Sequence, residues 1–533
     1  MLATRREQHF GQRVILCFQD RPANLNDMRQ AAAGRHPAQD ALVHGNQRLS
    51  WQQFDDHVMR VAAGLQALGV GAGDRVALLL SNRPEFVLAC YAAWALGAAV
   101  VPLNIREQMP GIRYILQDCE ARLLIHDAEL HTLVPPAEDT PALQHRVHTD
   151  TLAGGATPWS SLVRHAPLPA CAPVAEEDMA AILYTSGTTG FPKGAILTHF
   201  SIVHSVMNYT QVLRLDGPVR GAALVPLSHV TGLVALMAVV LGLGGTLIIA
   251  PRFKAAEFLA LAEQERMTYT LMVPAMYRLC LLQDDYQRHD LSAWTVGGFG
   301  GAPMPPEVLD QLHQWLPDLR LSNCYGATET TSPVTVMPAH LTHDHLDSVG
   351  PPLPVAEVLI MDPQGRELPR GEVGELWLKG PMVVEGYWRN AKATADNFIG
   401  GYWRSGDVGY MDAQGLVYVK DRYKDLINRG GYKIYSVEVE NCLSEHPDVV
   451  EAAVVGTPCP VLGERVHAFV VPRAGSGLSA DALQAFCAER LADYKVPETF
   501  TLETDPLPRN ANGKLLKRHL RERVSPADPK ANA

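Results

Sequence analysis

Apolar positions in the first 350 residues follow two alternating rhythms. From Trp51 to Leu68 they recur at helical spacing, whereas Val76–Leu80, Leu123–His126, Leu224–Pro226 and Leu247–Ala250 are short apolar runs that read as buried strands. Phe86 to Leu96 passes through Gly97 into Ala98–Pro102. The stretch from Leu224 to Pro251, which holds no Asp, Glu, Lys or Arg, passes in the same way through Gly242, Gly244 and Gly245 into Thr246–Ile249. Two helix, glycine, strand, proline units predict two related α/β layers with mostly parallel sheets. The charge-free stretch is long enough to span a membrane. A buried helix feeding a buried strand accounts for it equally well, and no transmembrane segment is expected.

Between Val349 and Leu426 the texture changes to short strands and turns. Val355–Met361 leads into Pro363-Gln-Gly365, Gly374–Lys379 follows, and Leu416–Lys420 comes after Asp412-Ala-Gln-Gly415, an antiparallel pattern. The remainder returns to mixed elements, with helices at Ser436–His446 and Ala480–Leu491 and strands at Val449–Gly456 and Val466–Val471. The opening 20 residues contain an apolar run, Val14–Phe18, too brief for a signal-peptide core. They are expected to form a poorly packed extension.

Composition narrows the function classes. A chain of 533 residues that is 47% hydrophobic exceeds one compact unit. Its net charge of -11 and lack of a long basic block give no electrostatic footprint for nucleic acid, so small-molecule partners are expected, with a homodimer left open. Nine cysteines occur singly, without a C-x-x-C pair, which points to reduced thiols in a cytoplasm and to no structural metal.

The sharpest chemical signal is Ile182-Leu-Tyr-Thr-Ser-Gly-Thr-Thr-Gly-Phe-Pro-Lys-Gly194, a strand entering a loop dense in glycine, hydroxyls and one lysine. Backbone N–H groups, hydroxyl donors and a cation suit a polyphosphate, although the spacing is not that of a Walker loop. Four further segments lie downstream: Tyr325-Gly-Ala-Thr-Glu329, Tyr402-Trp-Arg-Ser-Gly-Asp407, Asp421-Arg-Tyr-Lys-Asp-Leu-Ile427 and Pro508-Arg-Asn-Ala-Asn-Gly-Lys514.

In this order and over nearly the whole chain, the five segments resemble the adenylate-forming (AMP-binding) superfamily of acyl-CoA synthetases, luciferases and peptide-synthetase adenylation domains. The resemblance implies that Thr185, Ser186, Gly187, Thr188, Thr189, Gly190 and Lys193 cradle the ATP phosphates. It places Tyr325 on adenine beside Gly326, Thr328 on the α-phosphate and Glu329 on Mg2+. Gly300, Gly301, Ala302 and Pro303 would lie beside adenine and the acyl pocket, Asp407 and Arg422 on the ribose, and Lys514 between the attacking carboxylate and the α-phosphate. Pro226-Leu-Ser-His-Val-Thr-Gly232 resembles the segment whose histidine, here His229, gates the acyl pocket next to Val230. Lys424 matches the hinge, and Gly430, Gly431, Tyr432 and Lys433 match the coenzyme A tunnel. Two positions depart from the pattern, since many relatives carry an aromatic residue at Ser228 and a proline at Ser436.

The fold so implied is an α/β chain with a large N-terminal domain, residues 1–423, of two α/β layers plus a small β-barrel-like part. A small mobile C-terminal α/β domain, residues 424–533, carries the catalytic lysine. The implied activity is that of a carboxylate:coenzyme A ligase acting on a fatty or aryl acid through an acyl adenylate, with ATP and coenzyme A as co-substrates. Loading of a carrier protein, luciferase-like oxygenation and non-catalytic binding are the alternatives. An amino-acid activator would need an acid near Ser228–Leu236 for the substrate ammonium, and that stretch has none.

Overall fold

Two long sheets supply the expected layers in the computed structural model, which describes residues 2–149, 157–185, 192–510 and 515–524. The first sheet runs in the order Lys193–Thr198, Met179–Thr185, Ala99–Pro102, Arg75–Leu79, Leu123–His126, His145–His148, Thr157–Pro158. All its neighbours are parallel except the edge pair Met179–Thr185 and Lys193–Thr198, which is antiparallel. The second runs Ser332–Val336, Arg320–Ala327, Val296–Phe299, Tyr269–Met272, Arg220–Ala223, Thr246–Ile249, Asp40–His44, Gln47–Ser50. It too is parallel inside and antiparallel at both edges.

Helix Trp51–Ala67 opens on a capping box in which Ser50 and Gln53 satisfy each other's backbone N–H groups. Helix Pro84–Ala95 is buried on nearly every side, as a helix apolar all round must be. Its Trp94 indole N–H donates to the Ala180 carbonyl at 2.8 Å, tying it to the strand that leads to Thr185. The charge-free stretch becomes a π-helical segment, Thr231–Ala238, then helix Val239–Gly242 and strand Thr246–Ile249. Among the described residues no helix is long and apolar enough to cross a membrane.

Two expectations need correction. The strand placed at Leu224–Pro226 lies earlier, at Arg220–Ala223. Beyond it the Asn82 amide takes over the role of a ladder, donating to the carbonyls of Val225 and Ala250 at 3.0 and 3.2 Å and accepting the Leu227 N–H at 2.8 Å. The N-terminal residues are not a poorly packed extension. Thr4–His9 and Arg13–Phe18 form an antiparallel hairpin whose Ile15, Cys17 and Phe18 side chains are buried. The alternation of exposed and buried positions in Arg13–Phe18 is that of a half-buried strand.

By its internal contacts the chain divides into two units, one comprising Met1–Val358, Trp377–Arg404 and Ala413–Val417, the other Leu359–Leu376, Ser405–Asp412 and Tyr418–Ala533. Both long sheets and the N-terminal hairpin belong to the first. In the second, residues 359–361, 374–376, 405–411 and 418–422 are successive neighbours in one sheet, the strand texture expected there. The same unit contains a further sheet ordered Tyr432–Ile434, Ile427–Arg429, Gly463–Pro472, Val449–Cys459, with Thr499–Leu502 added beside Gly463–Pro472. Helices Ser436–Ser444 and Ala480–Ala488 close over it through Val439, Leu443 and Leu483, which bury against Val454, Val466 and Val470.

Helix His199–Val212, in the first unit, carries two buried histidines. Burial lowers both His199 and His204 to a pKa of about 3, because an imidazolium there loses its hydration. The unfolded chain therefore binds protons first as pH falls below about 6.5, and stability that is complete above that value declines toward pH 3. Each histidine contributes a slope of about 1.4 kcal/mol per pH unit inside that window. Urea unfolding as a function of pH is expected to show this decline, and His204→Gln should remove about one histidine's share of the slope.

Candidate active site

Thr185 and Lys193 face each other as cross-strand partners at the end of the antiparallel edge hairpin. Ser186, Gly187, Thr188, Thr189 and Gly190 lie outside the described residues, as does Lys514. Helix Met109–Asp118 fixes both flanks of that hairpin. The Tyr184 hydroxyl donates to Asp118 at 2.5 Å, and the Tyr114 hydroxyl donates to the Pro192 carbonyl at 3.3 Å. The outer edge is covered by a segment around Tyr387. Trp388 N–H donates to the Gly194 carbonyl at 2.7 Å, Ile196 N–H donates to the Gly386 carbonyl at 3.2 Å, and Lys193 Nζ stands 5.2 Å from the centre of the Tyr387 ring.

The same tyrosine reaches the second candidate cluster. Tyr325 and Gly326 end strand Arg320–Ala327, and Thr328–Thr330 forms a single 3₁₀ turn that presents Glu329. Glu329 is only 8% exposed, and one of its carboxylate oxygens accepts the Tyr387 hydroxyl at 2.9 Å. Burial and the adjacent carboxylate push the Tyr387 phenol well above its ordinary pKa, so it serves as a donor at any working pH. Gly300, Gly301, Ala302 and Pro303 follow strand Val296–Phe299, the parallel neighbour of the strand carrying Tyr325, and so leave the sheet at the same end.

The residues after Glu329 are strained. Thr331 has φ of 48° and Ser332 has φ of 91°, a region that non-glycine residues, and β-branched ones above all, avoid. Helix His199–Val212 holds them there from two successive turns. Ser205 Oγ donates to the Thr331 carbonyl at 2.7 Å, and the Tyr209 hydroxyl lies 2.8 Å from Ser332 Oγ. Such strain persists only where the surroundings over-determine it, and it concentrates at functional sites.

Where the acyl pocket is expected, His229 is half-buried and Val230 buried just before the π-helical segment, a form of helix that often marks functional sites. The His229 Nδ1 lies 3.3 Å from the Thr231 backbone nitrogen and 3.2 Å from the Thr231 hydroxyl. Burial lowers its pKa and keeps it neutral. Gly232 packs so closely that a Cβ would fall 2.2 Å from the Pro226 carbonyl oxygen. Pro226 therefore approaches the helix start where only hydrogen fits.

In the second unit, Asp407 is buried in strand Tyr402–Met411, and Arg422 Nε lies 3.2 Å from its carboxylate. The two expected ribose residues thus meet. Lys424 follows in a tight turn in which the N–H groups of Asp425 and Leu426 both donate to the Arg422 carbonyl, and burial lowers its pKa. Gly430 and Gly431, with φ of 59° and 92°, form the two-residue turn between Ile427–Arg429 and Tyr432–Ile434. Positive φ at both places is what a hairpin turn of this twist requires. Tyr432 stacks on Tyr494 at 4.5 Å, while Lys433 is exposed. Ser436 donates both its N–H, at 2.5 Å, and its hydroxyl, at 2.7 Å, to Asp421. Proline has no N–H for the first of these bonds.

The expected metal residue, Glu329, stands between the Thr328 and Thr330 hydroxyls in the sequence, an oxygen-only set. That set fits a hard cation that takes its other ligands from phosphate and water. Among the described residues, the one cluster of three classical metal-binding side chains is elsewhere, at Glu7, His9 and Cys17. There Arg21 donates to both Glu7 oxygens at 2.7 and 3.0 Å, and burial pushes the Cys17 thiol up to about 12. It is an ion-pair cluster, not a thiolate ligand set. Tyr387, Ser205, Tyr209 and Asn82 escape a reading of sequence motifs, because each acts through a contact with residues more than 50 positions away.

The sequence profile of AMP-binding enzymes matches residues 29–388, and that of the AMP-binding enzyme C-terminal domain matches residues 438–514. A feruloyl-CoA synthase from Amycolatopsis sp is 36% identical over 493 residues, covering 91% of this chain and 96% of that protein. A 2-succinylbenzoate–CoA ligase from Bacillus licheniformis is 35% identical, covering 91% of this chain and 97% of that protein. Among solved structures, an anthranilate CoA ligase in complex with anthranoyl-AMP superposes with a TM-score of 0.86 at 26% identity, covering 95% of this chain and 98% of that one.

The strained turn generates an expectation of its own. Replacing Ser205 by Ala and Tyr209 by Phe removes two buried hydrogen-bond partners, at about 1–3 kcal/mol for each group left unsatisfied. The double variant should melt at lower temperature and lose ATP–pyrophosphate exchange more steeply than its stability loss accounts for. Thermal unfolding and exchange assays on the same preparation check both.

Proposed function

The chain belongs to the AMP-binding enzyme family, and on that premise we propose that it is an ATP-dependent carboxylate:coenzyme A ligase that activates an aromatic carboxylic acid. The observation that carries the ligase reading is the pairing of Thr185 and Lys193 on one hairpin end with Glu329, through Tyr387, in the first unit. The aromatic preference is supported by the acids named in the similar proteins, feruloyl, 2-succinylbenzoyl and anthraniloyl. All nine cysteines are free thiols, which favours a reducing compartment such as the cytoplasm.

In the first half-reaction a carboxylate oxygen of the acid attacks the α-phosphorus of ATP and pyrophosphate leaves. Lys193 and the hairpin loop hold the departing phosphates, and Thr328 donates to the α-phosphate. Lys514 neutralises the two anions as they approach, which counts most in the transition state. Glu329 would hold Mg2+, which would supply positive charge to offset that on the phosphate oxygens. Asp407 and Arg422 fix the ribose. In the second half-reaction the thiol sulfur of coenzyme A attacks the acyl carbon, its proton passes to solvent, and AMP leaves. His229, neutral, borders the acyl pocket and orders the acid without bringing in a charge.

We place the change of domain at Lys424, with residues 1–423 and 424–533 moving as separate bodies. The turn at Lys424 is the pivot, Lys514 acts in the first step, and the Gly430–Lys433 hairpin borders the pantetheine in the second. Hinges absorb such motion in a few backbone torsions at element ends, and proline at 424 would fix φ near about -65°.

Pyrophosphate release across aryl and fatty acids, with and without coenzyme A, tests the activity. The expected products are AMP and pyrophosphate with strict dependence on Mg2+, and ADP with phosphate would overturn it. Glu329→Gln is expected to lower the rate at least ~100-fold, the scale of losing one preorganised electrostatic group.

The two half-reactions, measured separately, test the pivot. Lys424→Pro should keep acyl-AMP formation and lose thioester formation, whereas Lys514→Ala should lose adenylation yet still convert supplied acyl-AMP. Equal slowing of both steps in Lys424→Pro would remove the pivot from residue 424.

A further inference from the structure

The N-terminal hairpin lies outside the family match, which begins at residue 29, yet it reaches the segment that carries Tyr387. Arg13 projects from the second hairpin strand and donates through Nη1 to the Val384 carbonyl at 3.1 Å and through Nη2 to the Glu385 carbonyl at 2.6 Å. Two aromatic rings flank its guanidinium, Phe10 at 5.8 Å and Phe398 at 5.9 Å. Phe398 in turn meets Tyr387 edge to face at 5.6 Å. Val384, which Arg13 holds, bonds directly to the acidic turn, and so does Tyr387, three residues further on. Val384 N–H donates to the Glu329 carbonyl at 2.9 Å, and the Tyr387 hydroxyl donates to the Glu329 carboxylate at 2.9 Å.

The hairpin is itself anchored. Glu177 accepts the Phe10 N–H at 3.2 Å and pairs with His9 at 2.8 Å, while Arg21 bridges Glu7 and Glu176. Glu176 and Glu177 stand just before strand Met179–Thr185. One small element is therefore fastened to the approach to Thr185 on one side and to the support of Glu329 on the other. A planar fork reaching two successive carbonyls is a task for arginine, since the three N–H groups of a lysine ammonium share one nitrogen and offer no such fork.

We infer that the N-terminal hairpin is a positioning element of the ATP site, in which Arg13 latches residues 384–387 and thereby sets the Glu329 carboxylate for the metal. The inference rests on the proposed metal role of Glu329. Arg13 touches no substrate, and it acts through Tyr387 and the Val384 backbone. Removing it leaves the fold of the sheets in place but frees the segment that aims the carboxylate.

Four variants of the full chain test this: Arg13→Ala, Arg13→Lys, Tyr387→Phe and the pair Arg13→Ala with Tyr387→Phe. Hydrogen exchange of residues 383–388 without nucleotide is expected to accelerate at least ~10-fold in Arg13→Ala, as local opening loses its latch. The Mg2+ concentration for half-maximal ATP–pyrophosphate exchange should rise at least ~3-fold, below the 10- to 100-fold typical of a group bonded straight to a ligand. The rate at saturating Mg2+ should stay within about twofold, because a ligand-positioning defect is overcome by mass action. Arg13→Lys should recover part of both effects. In the paired variant the Mg2+ effects should combine to less than their product, as expected for residues in one network. Unchanged exchange at 383–388 would overturn the latch, and, where Glu329→Gln alters the Mg2+ requirement, an unchanged requirement in Arg13→Ala or fully multiplicative effects would overturn it too. Glu329→Gln separates the two readings: if it leaves the Mg2+ requirement as it was, the metal role fails, while faster exchange at 383–388 in Arg13→Ala still upholds the mechanical latch.

Discussion

The first unit depends on holding a buried carboxylate at the end of a turn that the backbone resists. Glu329 is followed by Thr331 and Ser332 at positive φ, and neither residue type settles there unaided. Helix His199–Val212 supplies the restraint from below through Ser205 and Tyr209, and the segment around Tyr387 supplies it from above. A carboxylate set this way has little freedom to swing toward water. In the metal role proposed for it, its geometry would already be fixed, so less ordering would remain at the moment of binding.

This restraint explains the layered build. A buried helix with two histidines on its inner face carries the serine and tyrosine, and burial keeps both histidines neutral. The sheet edge that carries Thr185 and Lys193 is closed by Trp388 and Gly386, immediate neighbours of Tyr387. The groups proposed to bind phosphate and metal thus share one scaffold segment. In the second unit a comparable economy holds around Asp421, whose carboxylate gathers the N–H and hydroxyl of Ser436, while Lys517 donates to the same hydroxyl at 2.7 Å.

The alternating α/β layers were legible from apolar periodicity, since strand Leu123–His126 and helix Trp51–Ala67 follow from local pattern alone. The family was legible because the glycine-, hydroxyl- and lysine-rich segment after Ile182 and the four segments downstream come in its order. What escaped was long-range. Strand Arg220–Ala223 was placed too late because Val225 looks like a strand residue until Asn82 captures its carbonyl. The N-terminal hairpin was misjudged because its worth lies in partners near residues 176 and 384. Serine at 436 looked like a departure of unknown weight, and only its bonds to Asp421 give it a reason.

Asn82 carries one further implication. A single amide joins the strand ends of the two sheets, with bonds to Val225, Ala250 and Leu227. It fixes how the chain departs toward Leu227: the exit from strand Arg220–Ala223 is set by an amide that belongs to the other sheet. A shift of one sheet against the other at this point would break all three bonds at once, so one hydrogen-bonding side chain ties the two layers together.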